Sequence, residues 1–344
     1  MEALELKSKK NSNEKYILLT HLDLDGAGCA IIFSLAVDKP GCIYYCANGK
    51  EINSQTLAVF NEAKNNPDTE YHVYIADNSI EEFTAEKVSS FLGFNPNNTF
   101  RLLDHHESAL PLADKYDWAA INITECGTTL LFEYMKSKVS ERLTMDAYAV
   151  LLELLNHIKN WDLFLWKNNG DTFARIHNTL CKDIGLVEYT NKMINRIISE
   201  HNLINETEFT DISEKLDHID KYIEDNVDKF NIVVADHIKK TDIPSTFTMH
   251  KYIVAVTFAT SNISELGNAI CEKHDDIDFC ALVNLSRYEF GSVELRATKD
   301  NIDLSEIAKS HGGGGHRKAA GFPLTKEILD DILRSITTAL NILE

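Results

Sequence analysis

Basic residues are scarce in this 344-residue chain: 34 Lys and Arg stand against 53 Asp and Glu, for a formal net charge of −19. Proteins that grip long duplex nucleic acid use many Lys and Arg contacts to phosphate, so duplex DNA is not an expected partner. Short anionic substrates stay open, because metal cations reverse the field inside a cleft even under an acidic surface. Long apolar runs are missing too. No uncharged apolar stretch reaches the ~18 residues that cross a bilayer, and MEALELKSKKNSNEKY at the start has nothing like a secretory signal. No membrane partner is expected, and the expected location is cytoplasmic. The seven cysteines (Cys29, Cys42, Cys46, Cys126, Cys181, Cys271, Cys280) are odd in number, scattered and without a Cys-x-x-Cys pair. They read as reduced thiols, not as a disulfide framework or a zinc site. There are only six prolines, and the sequence shows no internal repeat or low-complexity tract. What remains, 44% hydrophobic and 25% charged residues, is globular composition, at a length that suits roughly two domains of about 150 residues.

From residue 15 to about 125, β-rich runs (KYILLTHLD, CIYYCAN, YHVYIADN, TFRLLDHH, AAINIT) alternate with helical stretches. This pattern predicts an α/β domain with a parallel sheet and crossover helices. HLDLDG, ADNS and DHHES fall at the carboxyl ends of predicted strands, the edge where open α/β sheets bind ligands. Helices follow over 127–166, and a highly charged helical stretch, clearest in EKLDHIDKYIEDNVDKF, precedes a second strand-and-helix set that begins near residue 251. The predicted organisation is a catalytic domain over 1–185, a helical connector over 186–245, and a smaller α/β domain over 246–344.

Within HLDLDG, His21, Asp23 and Asp25 alternate, and on an extended strand side chains two apart share a side. Asp77 and the run Asp104, His105, His106 bring the same donor chemistry to the ends of two more strands. Adjacent histidines on extended backbone diverge, which predicts one toward a metal and the other toward substrate or solvent. Asp162, flanked by Trp161 and Phe164, adds another carboxylate. Each of these alone has an ordinary reading as a turn, a cap or a surface pair. Together Asp23, Asp25, Asp77 and Asp162 would balance two divalent ions, and mixed carboxylate and imidazole donors suit Mn²⁺. HGGGGHRKAAGF reads either as a flexible loop or as backbone that approaches a phosphate, and Arg296 either as a strand-edge ion pair or as a phosphate contact. Trp118, Trp161 and Trp166 are read as core in preference to base-stacking residues. His157, His177, His201, His218 and His237 show no partner pattern, and the acidic connector reads as a solvated helical face.

His21-x-Asp23-x-Asp25-Gly26, Asp77, Asp104-His105-His106 and Asp162, followed by Gly312 to His316 and Ala319-Ala320-Gly321, resemble the DHH phosphoesterase superfamily with its DHH-associated carboxy-terminal domain, closest to the nanoRNase branch. The resemblance spans almost the whole chain. It implies two Mn²⁺ per chain, with Mg²⁺ or Co²⁺ as substitutes: His21 and Asp23 hold one ion, Asp25, His105 and Asp162 the other, and Asp77 bridges them. It implies that His106 faces the scissile phosphate, that Asp104 orients a histidine, and that Arg296, Gly314, Gly315 and His316 contact substrate. Some members place the first histidine four residues before the first aspartate, and relatives often carry more acidic residues where this chain has Asn160-Trp161-Asp162. The implied activity is hydrolysis of short single-stranded RNA or DNA, down to dinucleotides, to 5′-mononucleotides by a metal-activated water. The alternatives carried are a 3′,5′-bisphosphonucleotide phosphatase, a cyclic or linear dinucleotide phosphodiesterase, a single-strand DNA exonuclease, and a nucleotide-sensing protein without catalysis. Family II pyrophosphatases share the metal motifs but lack the glycine-histidine segment. A homodimer is compatible with the sequence.

Overall fold

The computed structural model describes residues 2–6, 13–37, 41–240, 247–286, 290–330 and 334, and the chain divides into two compact units, Met1–Glu214 and Lys215–Glu344. The first unit is built on strands β1 (Glu2–Leu6), β2 (Glu14–Thr20), β3 (Gly41–Tyr45), β4 (Glu70–Ala76), β5 (Thr99–Asp104) and β6 (Ala119–Ile121). They form one sheet in the order β1-β3-β2-β4-β5-β6, parallel except for β1, which pairs antiparallel with β3 at the edge. The predicted parallel α/β sheet is therefore present, with an edge strand in addition.

Strand β2 is central because its sequence can be buried on both faces: Ile17, Leu18 and Leu19 are all fully buried. Ile17 and Leu19 join Phe60, Val73, Ile75, Phe91 and Phe100 in one core layer, which includes helix α2 (Gly49–Asn65). Helix α1 (Leu24–Ala36) is buried along nearly its whole length and packs against α3 (Gly127–Ser140), α4 (Met145–Asp162), α5 (Thr172–Ile184) and α6 (Leu186–Asn195). Strand β2 leads to β3 on one side of it, and the chain then crosses to β4 on the other. That reversal makes the carboxyl ends of β2 and β4 a topological switch point, where a crevice opens.

Helix α7 (Glu206–Asn226) buries Ile212 and Leu216, and most of its charged residues are exposed, in line with the solvated face expected of the acidic stretch. In the second unit, strands β7 (Asn231–Lys240), β8 (Phe247–Phe258), β9 (Phe279–Asn284), β10 (Ser292–Arg296), β11 (Gly314–Gly315) and β12 (Ala319–Pro323) form a sheet in the order β11-β12-β10-β9-β8-β7. Only the β8–β9 pair is parallel. Helix α8 (Ile263–Lys273) covers one face through Leu266, Ile270 and Cys271. On the other face α9 (Leu304–Ser310) packs through Leu304, Ile307 and Ala308.

Two local expectations change. Residues 231–240, placed by sequence in a helical connector, form β7, because the run can pair along its length with β8 and fill the edge of that sheet. The glycine segment is not a plain loop: Gly314 and Gly315 pair with Gly321 and Ala320. The run TKEILDDILRSITTALNI, which reads as a helix from its sequence, lies largely outside the described residues. All seven cysteines are buried and none forms a disulfide. Among the described residues, no helix is long and apolar enough to cross a membrane.

Candidate metal centre

Three neighbouring strands end at the crevice, and the donor residues follow them. Strand β2 ends at Thr20, one residue before His21, and β4 ends at Ala76, one residue before Asp77. Strand β5 ends at Asp104, which leads into His105 and His106. Asp162 arrives from elsewhere, as the last residue of α4.

His21, Asp23 and Asp25 do not share a strand face, as alternation on extended backbone would require. The strand stops first, and Asp23 is the N-cap of α1, accepting from the Gly26 amide at 3.0 Å. Asp25 lies in the first helical turn, so a helical rotation separates it from Asp23. Gly26 permits this tight entry, since a Cβ there would lie 2.0 Å from the His21 carbonyl oxygen.

The outcome is a run of overlapping donor sets, one of them made of Asp77, Asp104, His105 and His106. One ligand atom each from His21, Asp23 and Asp77 lie within 4.8 Å of one another, and the same holds for Asp25, His105 and Asp162. His105 ties the sets together, with Nε2 at 3.1 Å from Asp77 Oδ1 and 3.9 Å from Asp25 Oδ2, and Nδ1 at 3.5 Å from Asp162 Oδ2. Asp25, Asp77 and His105 are each 2% exposed. Buried carboxylates this close need cations or protons. Burial together with the charges of Asp25, Asp23 and Asp162 drives the Asp77 carboxyl well above the ordinary carboxylate range. Burial and the charges of Asp25 and Asp23 do the same to Asp162. Burial also opposes charge on His21 and Asp23, but their mutual attraction and the 2.6 Å hydrogen bond between them win: His21 is raised to about 9 and Asp23 is pulled far down. Asp77 Oδ2 is buried without a hydrogen-bond donor among the described residues. A buried carboxylate oxygen without a donor, set among further carboxylates and imidazoles, fits hard-to-borderline divalent cations.

The tandem histidines differ in exposure, but their ring centroids lie only 4.7 Å apart, without the divergence expected on extended backbone. The His105 side chain is 1% exposed and that of His106 23%, with the rings inclined at 63°. Asp104 accepts the His105 amide at 2.8 Å and holds His106 Nδ1 at 2.7 Å. Burial would raise the Asp104 carboxyl, but the two histidines and the amide keep it lowered.

Sequence reasoning missed the groups that grip Asp25. At the start of α3 the Gly127 and Thr128 amides donate to its two carboxylate oxygens at 2.6 and 2.8 Å, and the Thr128 hydroxyl donates to its carbonyl at 2.7 Å. The positive end of a helix is thus aimed at a buried carboxylate. The only trace in the sequence is a Gly-Thr-Thr run opening a helix, too common to mark a site.

The four residues expected to contact substrate lie in the second unit at one end of its sheet. Arg296 stands opposite Ala319 in the β10–β12 register, Gly315 opposite Ala320, and Gly314 opposite Gly321. His316 closes the β11–β12 turn, with its amide donating to the Ala319 carbonyl at 2.8 Å. The Arg296 guanidinium donates to Ser264 Oγ and to the Leu295 carbonyl, both at 2.8 Å. The predicted core tryptophans are only half-buried: Trp118 packs edge-on against Phe100, whereas Trp161 and Trp166 stack on each other.

The chain is similar to several known proteins. A family model described as DHHA1 domain matches residues 251–341. Oligoribonuclease NrnB of Bacillus subtilis (strain 168) is 30% identical over 323 residues, covering 92% of this chain and 74% of that protein. A 3′,5′-cyclic-nucleotide phosphodiesterase of Helicobacter pylori is 23% identical over 343 residues, covering 88% of this chain and 91% of that protein. Among solved structures, a pGpG-specific phosphodiesterase of Vibrio cholerae superposes with a TM-score of 0.48 at 11% identity, covering 95% of this chain and 99% of that one.

Proposed function

Because the chain belongs to the DHH phosphoesterase superfamily and is of its nanoRNase type, we propose that this phosphoesterase is Mn²⁺-dependent and hydrolyses short single-stranded oligonucleotides, down to dinucleotides, to 5′-mononucleotides. The observation that carries the reading is the run of donor sets joined at buried Asp77 and His105. In this reading His21 and Asp23 would hold one ion and Asp25, His105 and Asp162 the other, with Asp77 a donor available to both. When bound, the two ions supply an activated water and neutralise charge developing on the phosphate.

The remaining chemistry belongs to side chains. Asp104 fixes the proton of His106 on Nδ1, so Nε2 is the atom offered to the substrate, and in the imidazolium form it donates to the phosphate or to the leaving oxygen. Asp104 is therefore the positioning partner of His106. Arg296, Gly314, Gly315 and His316 contact the substrate, with backbone amides and a guanidinium suited to phosphate. The net charge of −19 favours a short substrate over a long strand. A second reading, hydrolysis of a 3′,5′-cyclic nucleotide, is favoured by the name of the Helicobacter pylori relative, and cyclic or linear dinucleotides and 3′,5′-bisphosphonucleotides call on the same chemistry.

A turnover series with Mn²⁺ tests this, from a dinucleotide to a twenty-mer, with a cyclic dinucleotide, a 3′,5′-bisphosphonucleotide and pyrophosphate alongside. The largest kcat/KM should fall on the shortest linear RNAs. Preference for the twenty-mer would overturn the substrate assignment, and metal uptake at the cluster without any phosphoester turnover would favour a sensor.

A further inference from the structure

Helix α8 accompanies Arg296 from the backbone to the tip of its side chain. At the tip, Arg296 Nη2 donates to Ser264 Oγ at 2.8 Å. Along the stem, a Cβ on Gly267 would lie 2.8 Å from Arg296 Cγ and 3.0 Å from its Cβ, so glycine leaves the space that the stem fills. At the backbone, the Cys271 thiol donates to the Arg296 carbonyl at 3.2 Å. Ser264, Gly267 and Cys271 are spaced i, i+3 and i+7, which puts them on one stripe of the helix. One stripe thus follows one arginine.

The strands hold the same side chain from beneath. Arg296 stands opposite Cys280 on β9 and Ala319 on β12. Its Nη1 donates to the Leu295 carbonyl at 2.8 Å and lies 3.9 Å from Glu294 Oε2, and only 11% of the side chain is exposed. Holding a long side chain in one conformation costs entropy. Ser264 lies in the first turn of α8, where the helix dipole opposes a cation, so the contact does not serve to cap the helix. Both costs are offset when a guanidinium already set in place meets an anion, because its planar fork loses no further freedom on binding.

We propose that Ser264 and Gly267 are positioning residues, which preset the Arg296 guanidinium for a substrate phosphate. The inference rests on the reading of Arg296 as a phosphate contact and adds two residues that act through it.

The test measures kcat/KM with Mn²⁺ on 5′-phosphorylated diadenosine (pApA). The variants are Ser264→Ala, Ser264→Thr, Gly267→Ala and Arg296→Ala, with Arg296→Ala also combined with each of the alanine changes. Ser264→Ala and Gly267→Ala should each lose about tenfold, mainly through KM, the size of effect seen when a hydrogen bond to a charged group is removed. Ser264→Thr keeps the hydroxyl and should retain most of the wild-type value. In the Arg296→Ala background both alanine changes should cost less than about twofold, because they act only through the arginine. Losses that persist undiminished in that background would overturn the proposal. Wild-type KM for Ser264→Ala beside an impaired Arg296→Ala would refute the positioning and leave the phosphate contact standing. Gly267→Ala also brings a methyl within 2.7 Å of Leu282 Cδ1, so if it fails to fold, the Ser264 cycle decides alone. If Arg296→Ala leaves KM unchanged, positioning and phosphate contact fall together while the phosphodiesterase reading stands. If the wild type does not hydrolyse pApA, that reading fails separately, and calorimetric binding of pApA in Mn²⁺ decides: no binding, or equal affinity for the wild type and Ser264→Ala, refutes the positioning.

Discussion

Asp77 is held by several independent constraints. Its backbone sits at φ +57°, its amide donates to the Leu103 carbonyl at 3.1 Å, and its carboxylate is buried among Asp23, Asp25 and Asp162. A residue forced into the left-handed region and surrounded by like charges is destabilising unless something binds there. The same crowding sets a pH dependence. Without cations, Asp77 and Asp162 retain protons above the usual carboxylate range, and His21 retains one up to about 9. Each must be lost before the atom can ligate a metal, so binding releases protons and affinity rises with pH. Mn²⁺ titrations between weakly acid and weakly alkaline pH should tighten by up to about tenfold per pH unit for each proton released. Calorimetry in buffers of different ionisation enthalpy counts those protons. A pH-independent affinity with no proton release would show that these side chains are not the ligands.

At the scale of elements, the α3 N-terminus decides whether Asp25 and Asp77 can occupy one pocket. A Cβ on Gly127 would lie 2.3 Å from Asp77 Cβ and 2.7 Å from Asp77 Cα, so only glycine lets the helix start reach Asp25 past the β4 end. Gly127→Ala should reduce Mn²⁺ affinity at least tenfold and lower activity with it, because the clash is with backbone that cannot move aside. Metal content after desalting, measured beside the melting temperature of the metal-free protein, separates this from general unfolding. Full metal retention would dissociate the helix start from the site. This contact also marks the limit of sequence reading. Strands β2 to β6 and the donors at their ends were readable, because buried parallel strands write near-continuous apolar runs and the acidic and histidine residues interrupt them at one edge. The approach of Gly127 to Asp77 is long-range packing and leaves no periodic signal. Strand β7 was missed for another reason: Ile232, Val233 and Val234 are consecutive and exposed, without the alternation that marks a half-buried strand, and they follow a long charged helix. The α1 start misled because alternation in His21, Asp23 and Asp25 imitates a strand, and only the cap geometry reveals the helix.

Taken as a whole molecule, the chain pairs a strongly negative surface with a site for an anion, and this has a measurable consequence. A protein that follows a long strand along a basic track loses affinity steeply with salt, as condensed counterions are displaced from each neutralised phosphate. Here 53 acidic residues outnumber 34 basic ones, and the proposed substrate carries only one or a few phosphates. Its attraction is local, to metal-neutralised carboxylates and a few cations, while the distant surface repels it. Salt screens the distant term first, because charges beyond about 8–10 Å are largely shielded at physiological ionic strength and those inside the cleft are not. Raising KCl from 50 to 200 mM at fixed Mn²⁺ should therefore change kcat/KM for pApA by less than about threefold, in either direction, whereas a basic-track nuclease would fall by orders of magnitude. Steady-state kinetics on pApA and on a twenty-mer at each salt concentration read this directly. A steep decline for the dinucleotide would mean that many cations converge on the substrate, and the case for a short substrate built on the acidic surface would have to be given up.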